Sequence, residues 1–392
     1  MVVVSGAPAR RVDNWGSSGL AYLTGLPDGP PDFSRANVLG NAQRIATDAA
    51  TLLTGRAGLL GLSRGGRVSA GRATRLLAAR NGWCAITLSR PDDVAAVPAL
   101  VQADEVSEDP WPMLERWAAT RPVLAITERA ELLDIPAAAL GEAAAAAPRV
   151  RRLGARAFRR DVRGLLVADL SSMWAGPLCG HLLARAGATV VKVESPRRPD
   201  GTRAGNPAFF DWINGEKLFY SLDFDRNVDE LAELLAVADI VLEGSRPAAL
   251  ARRRLGPGHV APRAGRIWLR ISGHGADSGR PAFGDDAAVA GGLVGGDADG
   301  PVFCGDAIAD PLAGLEASRA VAESLGRGGG ELIDVSMATV AATYAALPTH
   351  VSVAARPAPP PSAPPTSKTA AAPGADGVAV RRLVVERRRS SC

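Results

Sequence analysis

The carboxylate of Asp310 is the side chain best placed in this sequence for covalent chemistry. From Val302 the chain holds a short apolar run that ends in Asp306, Ala307, Ile308, Ala309 and Asp310. Pro311 then opens a helical pattern with Leu312, Leu315, Ala322 and Leu325 on one side. Proline suits the first turn of a helix, and an acid just before it suits the unsatisfied N–H groups there. Asp310 is thus expected at a strand-to-helix junction, where α/β proteins usually hold ligands. Two roles are open to it. It is an N-cap contributing about 1 kcal/mol, or a nucleophile facing a substrate. Gly326 and Gly328 to Gly330 close the helix, and Glu331 to Met337 reads as the next strand.

Other reactive patterns are poorer. Gly61-Leu62-Ser63-Arg64-Gly65 matches the G-x-S-x-G form of Ser hydrolases, which needs a strand before it and a helix directly after it. Gly65-Gly66-Arg67-Val68 makes a poor helix start, and no His or acid is placed to complete a triad. A glycine loop whose backbone N–H groups face a ligand is the better reading. Trp174-Ala175-Gly176-Pro177 lacks the glycines of a dinucleotide fingerprint, and Pro177 removes an N–H that a pyrophosphate would use, which disfavours a nicotinamide dehydrogenase. No Walker-type Gly-Lys-Ser/Thr occurs. Of the four widely spaced histidines, His181 falls in a predicted helix. His274, in a Gly-rich turn after a strand, is the one placed to approach a ligand.

The elements that must position these groups belong to a globular chain. Its 392 residues, 47% apolar and 22% charged, suffice for two or three domains with sizeable cores. The net charge of +4 comes from dispersed residues, almost all the bases being Arg, so nucleic-acid binding is not indicated while a small anionic ligand is compatible. Cys84, Cys179, Cys304 and Cys392 show neither paired nor metal-like spacing, so no metal site emerges and a reducing cytosol is the simplest compartment. No apolar stretch approaches the roughly 20 residues that span a bilayer, and the opening residues make no signal peptide.

Residues 1–150 read as a first unit. In it Asn37 to Leu60 has helical spacing, Gly61 to Gly71 is a loop, and Ala73 to Ala79 is helix or strand. Asn81-Gly82 signals a turn before a strand from Trp83 to Leu88. Arg90-Pro91-Asp92-Asp93 is expected to cap a short helix that Pro98 ends or kinks, and further helices are expected at Trp111 to Thr120 and at Arg129 to Leu140, with a connector from Ala143 through the following basic cluster. From residue 160 to 350 strands and helices alternate. Strands are expected at Gly164 to Leu170, Ala188 to Glu194, Leu218 to Phe224, Asp239 to Leu242 and Arg266 to Ser272. Helices intervene, including Val228 to Val237, Ala248 to Leu255 and Asp286 to Val294. The alternation argues for an α/β fold with a doubly wound, mostly parallel sheet, beside a smaller α+β domain. Residues 351–392 form a Pro/Ala-rich mobile linker and a tail. Asp13 to Pro30 weakly echoes Asp286 to Pro301 in its Asp, Gly-Leu and Asp-Gly-Pro punctuation.

The order of motifs from Gly164 to Met337 resembles the family III CoA transferases, the CaiB/BaiF type that includes formyl-CoA transferase, carnitine CoA-transferase and 2-methylacyl-CoA racemases. The matching pieces are VADLSSMWAGPLCGHLLARAGATVVKVESP, NGEKLFYSLDF, ADIVLEGSRPAAL, RISGHGADSGRPAFGDD, IADPLAG and ELIDVSM. The resemblance implies a Rossmann-like CoA-binding fold in an interlocked homodimer. Its nucleophile is the Asp of a D-x-x-x-G pattern, here Asp310 with Gly314. It also implies acyl-CoA and a carboxylic acid as partners, with the CoA thioester as substrate and no permanently bound cofactor. Family CoA contacts fall on Trp174, Ala175, Ser195, Leu222, Asp223, Phe224, Asp225, Gly244, Ser245, Arg254 and Asp286.

Three departures bear on specificity. Trp174 replaces a Gln, Ser195 an Arg, and Gly244-Ser245 an Asn-Phe of formyl-CoA transferase, which points away from formate or oxalate and toward a bulkier, more apolar acyl group. Asp285-Asp286 stands where the racemases carry His-Asp, which leaves their usual acid/base pair incomplete. GGRVSAGRATRLLAARNGWCAITLSRPDDV and LLDIPAAAL are similar to the small domain and Gly loop that normally follow the nucleophile domain. Here they precede it, as in a permuted or fused copy, and Gly65 and Gly66 become the oxyanion-loop candidates. The expected activity is acyl-CoA:carboxylate CoA transfer in the cytoplasm. A racemase or isomerase on the same scaffold, and a catalytically weak CoA-binding homologue, are the alternatives.

Overall fold

A computed structural model describes residues 14–105, 107–244, 248–350, 357–365 and 368–389. The chain forms two compact units, each assembled from separated segments.

One unit takes residues 148–279, 313–336 and 365–392. Its centre is a seven-stranded sheet in the spatial order Arg149–Arg152, Glu331–Ser336, Ile267–Ser272, Ile240–Glu243, Leu166–Leu170, Thr189–Glu194, Leu218–Ser221. All neighbours are parallel except Arg149–Arg152, which pairs antiparallel with Glu331–Ser336. Every residue of Leu166–Leu170 is buried, which explains its apolar run, broken only by Asp169, since a central parallel strand shows neither face to water. Strand order reverses between Leu166–Leu170 and Ile240–Glu243, because the second and third parallel strands lie to one side of the first and the later ones to the other. Such a reversal opens a crevice at the carboxyl ends of the two strands.

The basic run after Pro148 is a strand rather than the expected connector. All four residues of Arg149–Arg152 are exposed, and Arg149 and Arg151 lie 3.7 and 3.2 Å from Asp334 on the neighbouring strand. An edge strand studded with arginine resists pairing with another chain. The tail helix Gly377–Arg389 buries Val380 and Val384 against the sheet's core, and Arg387 reaches Asp239 at 2.9 Å.

The other unit takes residues 1–147, 280–312 and 337–364. Thr74–Ala79, Gly82–Thr87 and Ala137–Ala139 make an antiparallel sheet. Ala79 pairs with Gly82, so the turn residues are Arg80 and Asn81, one position earlier than Asn81-Gly82 suggests. The expected helix from Arg129 to Leu140 is instead Val123–Leu132 followed by the strand Ala137–Ala139; Asp134 in the left-handed region (φ 59) and Pro136 separate them. Leu77, Ile86, Leu100, Trp111, Leu114 and Ile126 pack a core of their own.

Gly284–Ala290 is shorter than the helix expected from Asp286 to Val294, because Gly292 (φ 73) turns the chain into the hairpin Val294–Asp297 with Gly300–Phe303. Met337 starts the helix Met337–Ala345 rather than ending a strand. The Pro/Ala-rich stretch is not a mobile linker where it is described: residues 357–365 lie against Gly16, Gly19 and Gly58. A Cβ on Gly19 would approach Pro361 Cα to 2.6 Å, and one on Gly58 would collide with the Ser362 carbonyl. Residues 351–356 and 366–367 of that stretch lie outside the described residues.

Candidate active site

Asp310 sits in the first turn of the helix Ala309–Gly326, just inside it rather than immediately before it. The turn leading in is held in an unusual shape. Gly305 has φ 70 and Ala307 has φ 42, a region that costs a residue with a Cβ of the order of 1–3 kcal/mol. Three bonds fix the turn. The Gly305 N–H donates to Thr24 Oγ1 (3.1 Å), the Ala307 N–H to Asp285 Oδ1 (3.0 Å) and the Asp310 N–H to the Ala307 carbonyl (2.9 Å). Gly284 lies directly against this turn. A Cβ there would collide with the Ala307 carbonyl and with Asp310 Oδ2, and its N–H donates to the Asp310 carboxylate. Only glycine allows that approach.

Four charged groups converge. Arg56, from the helix Ala49–Leu60, holds Asp306 at 2.6 Å, and Asp306 is wholly buried with Oδ2 lacking a hydrogen-bond partner. Asp285 and Asp310 complete the set, and Ser69 hydrogen-bonds Asp285. Burial pushes the Asp310 carboxyl up to about 7. The Asp285 charge adds to this, while Arg56 opposes it. Asp285 rises to about 7 through burial and the Asp306 charge, again against Arg56. Asp310 as a residue keeps part of its surface exposed, while its carboxyl group lies deep. At neutral pH such a group is near the midpoint between acid and nucleophilic carboxylate. Among the described residues the thiols offer no rival nucleophile, since burial pushes Cys304 and Cys84 up to about 12 and Cys179 upward as well.

In the loop before the antiparallel sheet, the Gly65 carbonyl accepts from the Val68 N–H at 3.0 Å and the Gly66 carbonyl from the Phe303 N–H at 2.9 Å. Ser69 and Gly71 are the loop residues that reach the carboxylates, Gly71 lying behind the Arg56 guanidinium. Ser63 follows a helix rather than a strand, so the nucleophile-elbow context is absent. Asp286 is wholly buried. Its Oδ1 accepts from Thr87 (2.8 Å) and from the Phe283 N–H (2.9 Å), which makes it the cap of Gly284–Ala290 with no surface turned to a ligand. Arg56 was missed. Its signal was a lone charge in the otherwise uncharged run TLLTGRAGLL.

In the sheet unit the other expected contacts gather at carboxyl ends of parallel strands. Trp174 and Ala175 follow Leu166–Leu170, Ser195 follows Thr189–Glu194, Leu222 to Asp225 follow Leu218–Ser221, and Gly244 follows Ile240–Glu243. Trp174 packs edge-on against Phe209 at 5.4 Å, and a Cβ on Gly244 would meet Ser171 Cβ at 3.1 Å, so the loops flanking the strand-order reversal touch. Asp223 and Asp225 are bridged by Arg197 at 2.9 and 3.3 Å, and Arg253 joins Asp225 at 2.7 Å. Arg254 is exposed in the left-handed region (φ 58); Ser245 lies outside the described residues.

Beneath these loops runs a buried ionic layer. Lys217 bonds Asp169 at 2.8 Å and Lys192 bonds Asp200 at 2.7 Å, all four side chains fully buried. Asp200 also accepts the N–H of Met173 (3.1 Å), whose φ of 74 turns the chain toward Trp174. Gly314 completes the D-x-x-x-G pattern for a packing reason: a Cβ there would lie 2.7 Å from the Ala175 carbonyl, so glycine lets the two helices meet.

Several known proteins are similar to this chain over about half of its length. The chain is 30% identical over 205 residues to the succinate–glutarate CoA-transferase of Agrobacterium fabrum, covering 45% of this chain and 51% of that protein. It is 30% identical over 197 residues to the succinyl-CoA–D-citramalate CoA-transferase of Chloroflexus aurantiacus, covering 45% and 48%. The chain thus spans about half the length of the curated relatives it matches. Among solved structures, the hypothetical protein Rv3272 of Mycobacterium tuberculosis aligns at 28% identity with a TM-score of 0.43, over 48% of this chain and 56% of that one. Among the described residues no helix is long and apolar enough to cross a membrane. The sequence pattern described as CoA-transferase family III matches residues 162–377, more than half of the chain, and the protein belongs to that family.

Proposed function

We propose that this chain transfers coenzyme A between an acyl-CoA thioester and a carboxylic acid through a covalent intermediate on Asp310. The observation that carries this reading is Asp310 itself: a half-buried carboxylate at a helix start, backed by the Gly284 N–H and titrating near 7. The ionised carboxylate attacks the thioester carbonyl, the carbon–sulfur bond breaks, and CoA leaves as thiolate from a mixed anhydride. The thiolate then attacks the Asp310 carbonyl carbon, expelling the original acid as carboxylate and leaving an aspartyl-CoA thioester. An acceptor carboxylate displaces the thiolate to form a second anhydride. The thiolate attacks the acceptor's acyl carbon and returns Asp310 as carboxylate. Each step exchanges oxygen for sulfur at an acyl carbon, so no oxidant or external base is consumed.

The N–H groups of Gly65 and Gly66 are the proposed donors to the tetrahedral oxyanions. The CoA moiety is assigned to the carboxyl edge of the Rossmann-like sheet, over Trp174, Ala175, Ser195, Leu222 to Asp225, Gly244, Ser245 and Arg254. Trp174 and Ser195 favour a large, apolar acyl group over the small dicarboxylates for which the relatives are named. The functional species is taken as a homodimer. Incubation with acyl-CoA followed by hydroxylamine and peptide mass spectrometry tests the assignment: Asp310 should carry a hydroxamate, and an unmodified Asp310 under turnover would refute it.

A second reading, proton exchange at the α-carbon of the acyl group, is favoured by one observation. Asp285 is a second carboxyl titrating near 7, and its charge acts on Asp310. Deuterium incorporation at that carbon, without acyl exchange, would select it.

A further inference from the structure

Arg56 lies on a segment before the matched family region, residues 162–377, and its partners lie inside that region. Its guanidinium sits 2.6 Å from Asp306 with three-quarters of the side chain covered. Gly71 leaves room for it, since a Cβ there would stand 3.4 Å from one terminal nitrogen and 4.0 Å from Asp306 Oδ1. Asp306 is fixed from the opposite side by its place in the strained turn before Asp310, and nothing bonds its Oδ2. Asp285, on the helix Gly284–Ala290, grips the same turn through the Ala307 N–H. The charged groups acting on Asp310 are therefore Asp285, Asp306 and Arg56, and Arg56 is the one cation among them.

We infer that Arg56 is a positioning residue for the nucleophile: by neutralising Asp306 from across the strained turn, it lets Asp310 carry the negative charge that attack requires. Without it, three buried carboxyl groups act on one another with no cation among them, and like charges so placed force at least one to keep its proton. Where that one is Asp310, its neutral carboxyl is a far weaker nucleophile than the carboxylate, so exchange slows without any loss of contact between Asp310 and substrate. Arg56 need not touch the thioester. It acts through Asp306, and its direct attraction for the Asp310 and Asp285 charges adds to the effect.

This inference rests on the proposed role of Asp310, but its test does not need turnover. A diazoacetate ester alkylates carboxyl groups in their protonated form, so labelling of Asp310 against pH, followed by peptide mass spectrometry on the full chain without CoA, reports its ionisation. In Arg56→Gln the labelling midpoint should move up by about one pH unit, and any exchange activity at pH 7 should fall about fivefold, as the ionised fraction drops from about one half to about one eleventh. Arg56→Lys, which keeps the charge and loses the planar fork, should recover most of the shift.

Should Arg56→Gln fail to fold, Asp306→Asn carries the test, since removing that charge should move the Asp310 midpoint down. The Arg56→Gln/Asp306→Asn double variant, which restores neutrality, should return it close to its starting value. Midpoints unmoved in folded Arg56→Gln, or in Asp306→Asn, overturn the inference. A shifted midpoint in a chain that forms no Asp310 adduct would keep the electrostatic role of Arg56 and remove the transferase reading instead.

Discussion

The two units bury their acids in opposite ways. In the sheet unit Asp169 and Asp200 each meet a lysine, and Glu194 takes a bidentate pair from Arg203 at 2.7 Å. Burial alone would raise both aspartates, yet the facing ammonium groups hold them below the ordinary carboxylate range. In the other unit Asp285, Asp306 and Asp310 share one arginine, and burial wins: all three are raised. The residue type is the same and the depth comparable. What differs is the number of cations per anion, and that number separates a structural layer from a reactive group poised near neutrality.

Breaking either side tests the contrast. The largest effect belongs to Asp310→Ala, which should lower CoA exchange by about a thousandfold or more while the melting temperature holds or rises. Turnover at the parent rate in the folded variant would end the assignment. Next comes Lys217→Met. It strands Asp169 in a dry interior and should destabilise the sheet unit by about 3–5 kcal/mol in urea unfolding, whereas adding Asp169→Leu should recover much of that loss.

Gly284→Ala drives a methyl group into Asp310 Oδ2 and should slow exchange by about a hundredfold, as misplacement of a reacting group does. Little change in KM should accompany it, since the methyl displaces the carboxylate and not the CoA contacts; a variant as fast as the parent would mean the turn relaxes freely.

A gentler probe is pH. Asp169 and Asp200 have lowered folded values, so their stabilisation is present above the unfolded carboxylate value of about 3.9 and is lost as pH falls through the folded values. Asp285, Asp286 and Asp310, raised to about 7, behave in reverse: the folded state binds their protons more tightly, so their stabilisation is full below about 3.9 and is lost as pH rises through 7. Amide hydrogen exchange should therefore show Gly284–Ala290 better protected at pH 5 than at pH 8, while Leu166–Leu170 stays unchanged over that interval. Equal responses in both segments would erase the distinction.

The sequence carried the sheet well, because its signals are local. An apolar run broken only by Asp169 marks Leu166–Leu170, and the helix Val228–Val237 falls on the expected bounds. It misread places where one residue outweighs periodicity: Pro136 and the left-handed Asp134 broke an apparently continuous helix, and Gly292 cut another short. Asp310 was legible from its proline-started helix. Its surroundings were not, since Arg56 stands 250 residues from Asp306 along the chain and no spacing rule reaches that far. Gly65 and Gly66 drew attention as a glycine pair, whereas Ser69, which hydrogen-bonds Asp285, and Gly71, which lies behind the Arg56 guanidinium, carry no motif.

The stretch of proline and alanine lying on Gly16, Gly19 and Gly58 has a practical corollary for anyone engineering the chain. A proline-rich ribbon has few conformations to give up, so seating it costs little order, and each proline replaced by alanine gives part of that back. Pro364 is buried, so alanine there should tell most in a scan of residues 357–365, while a single methyl at Gly19 or Gly58 should lift the ribbon off its seat.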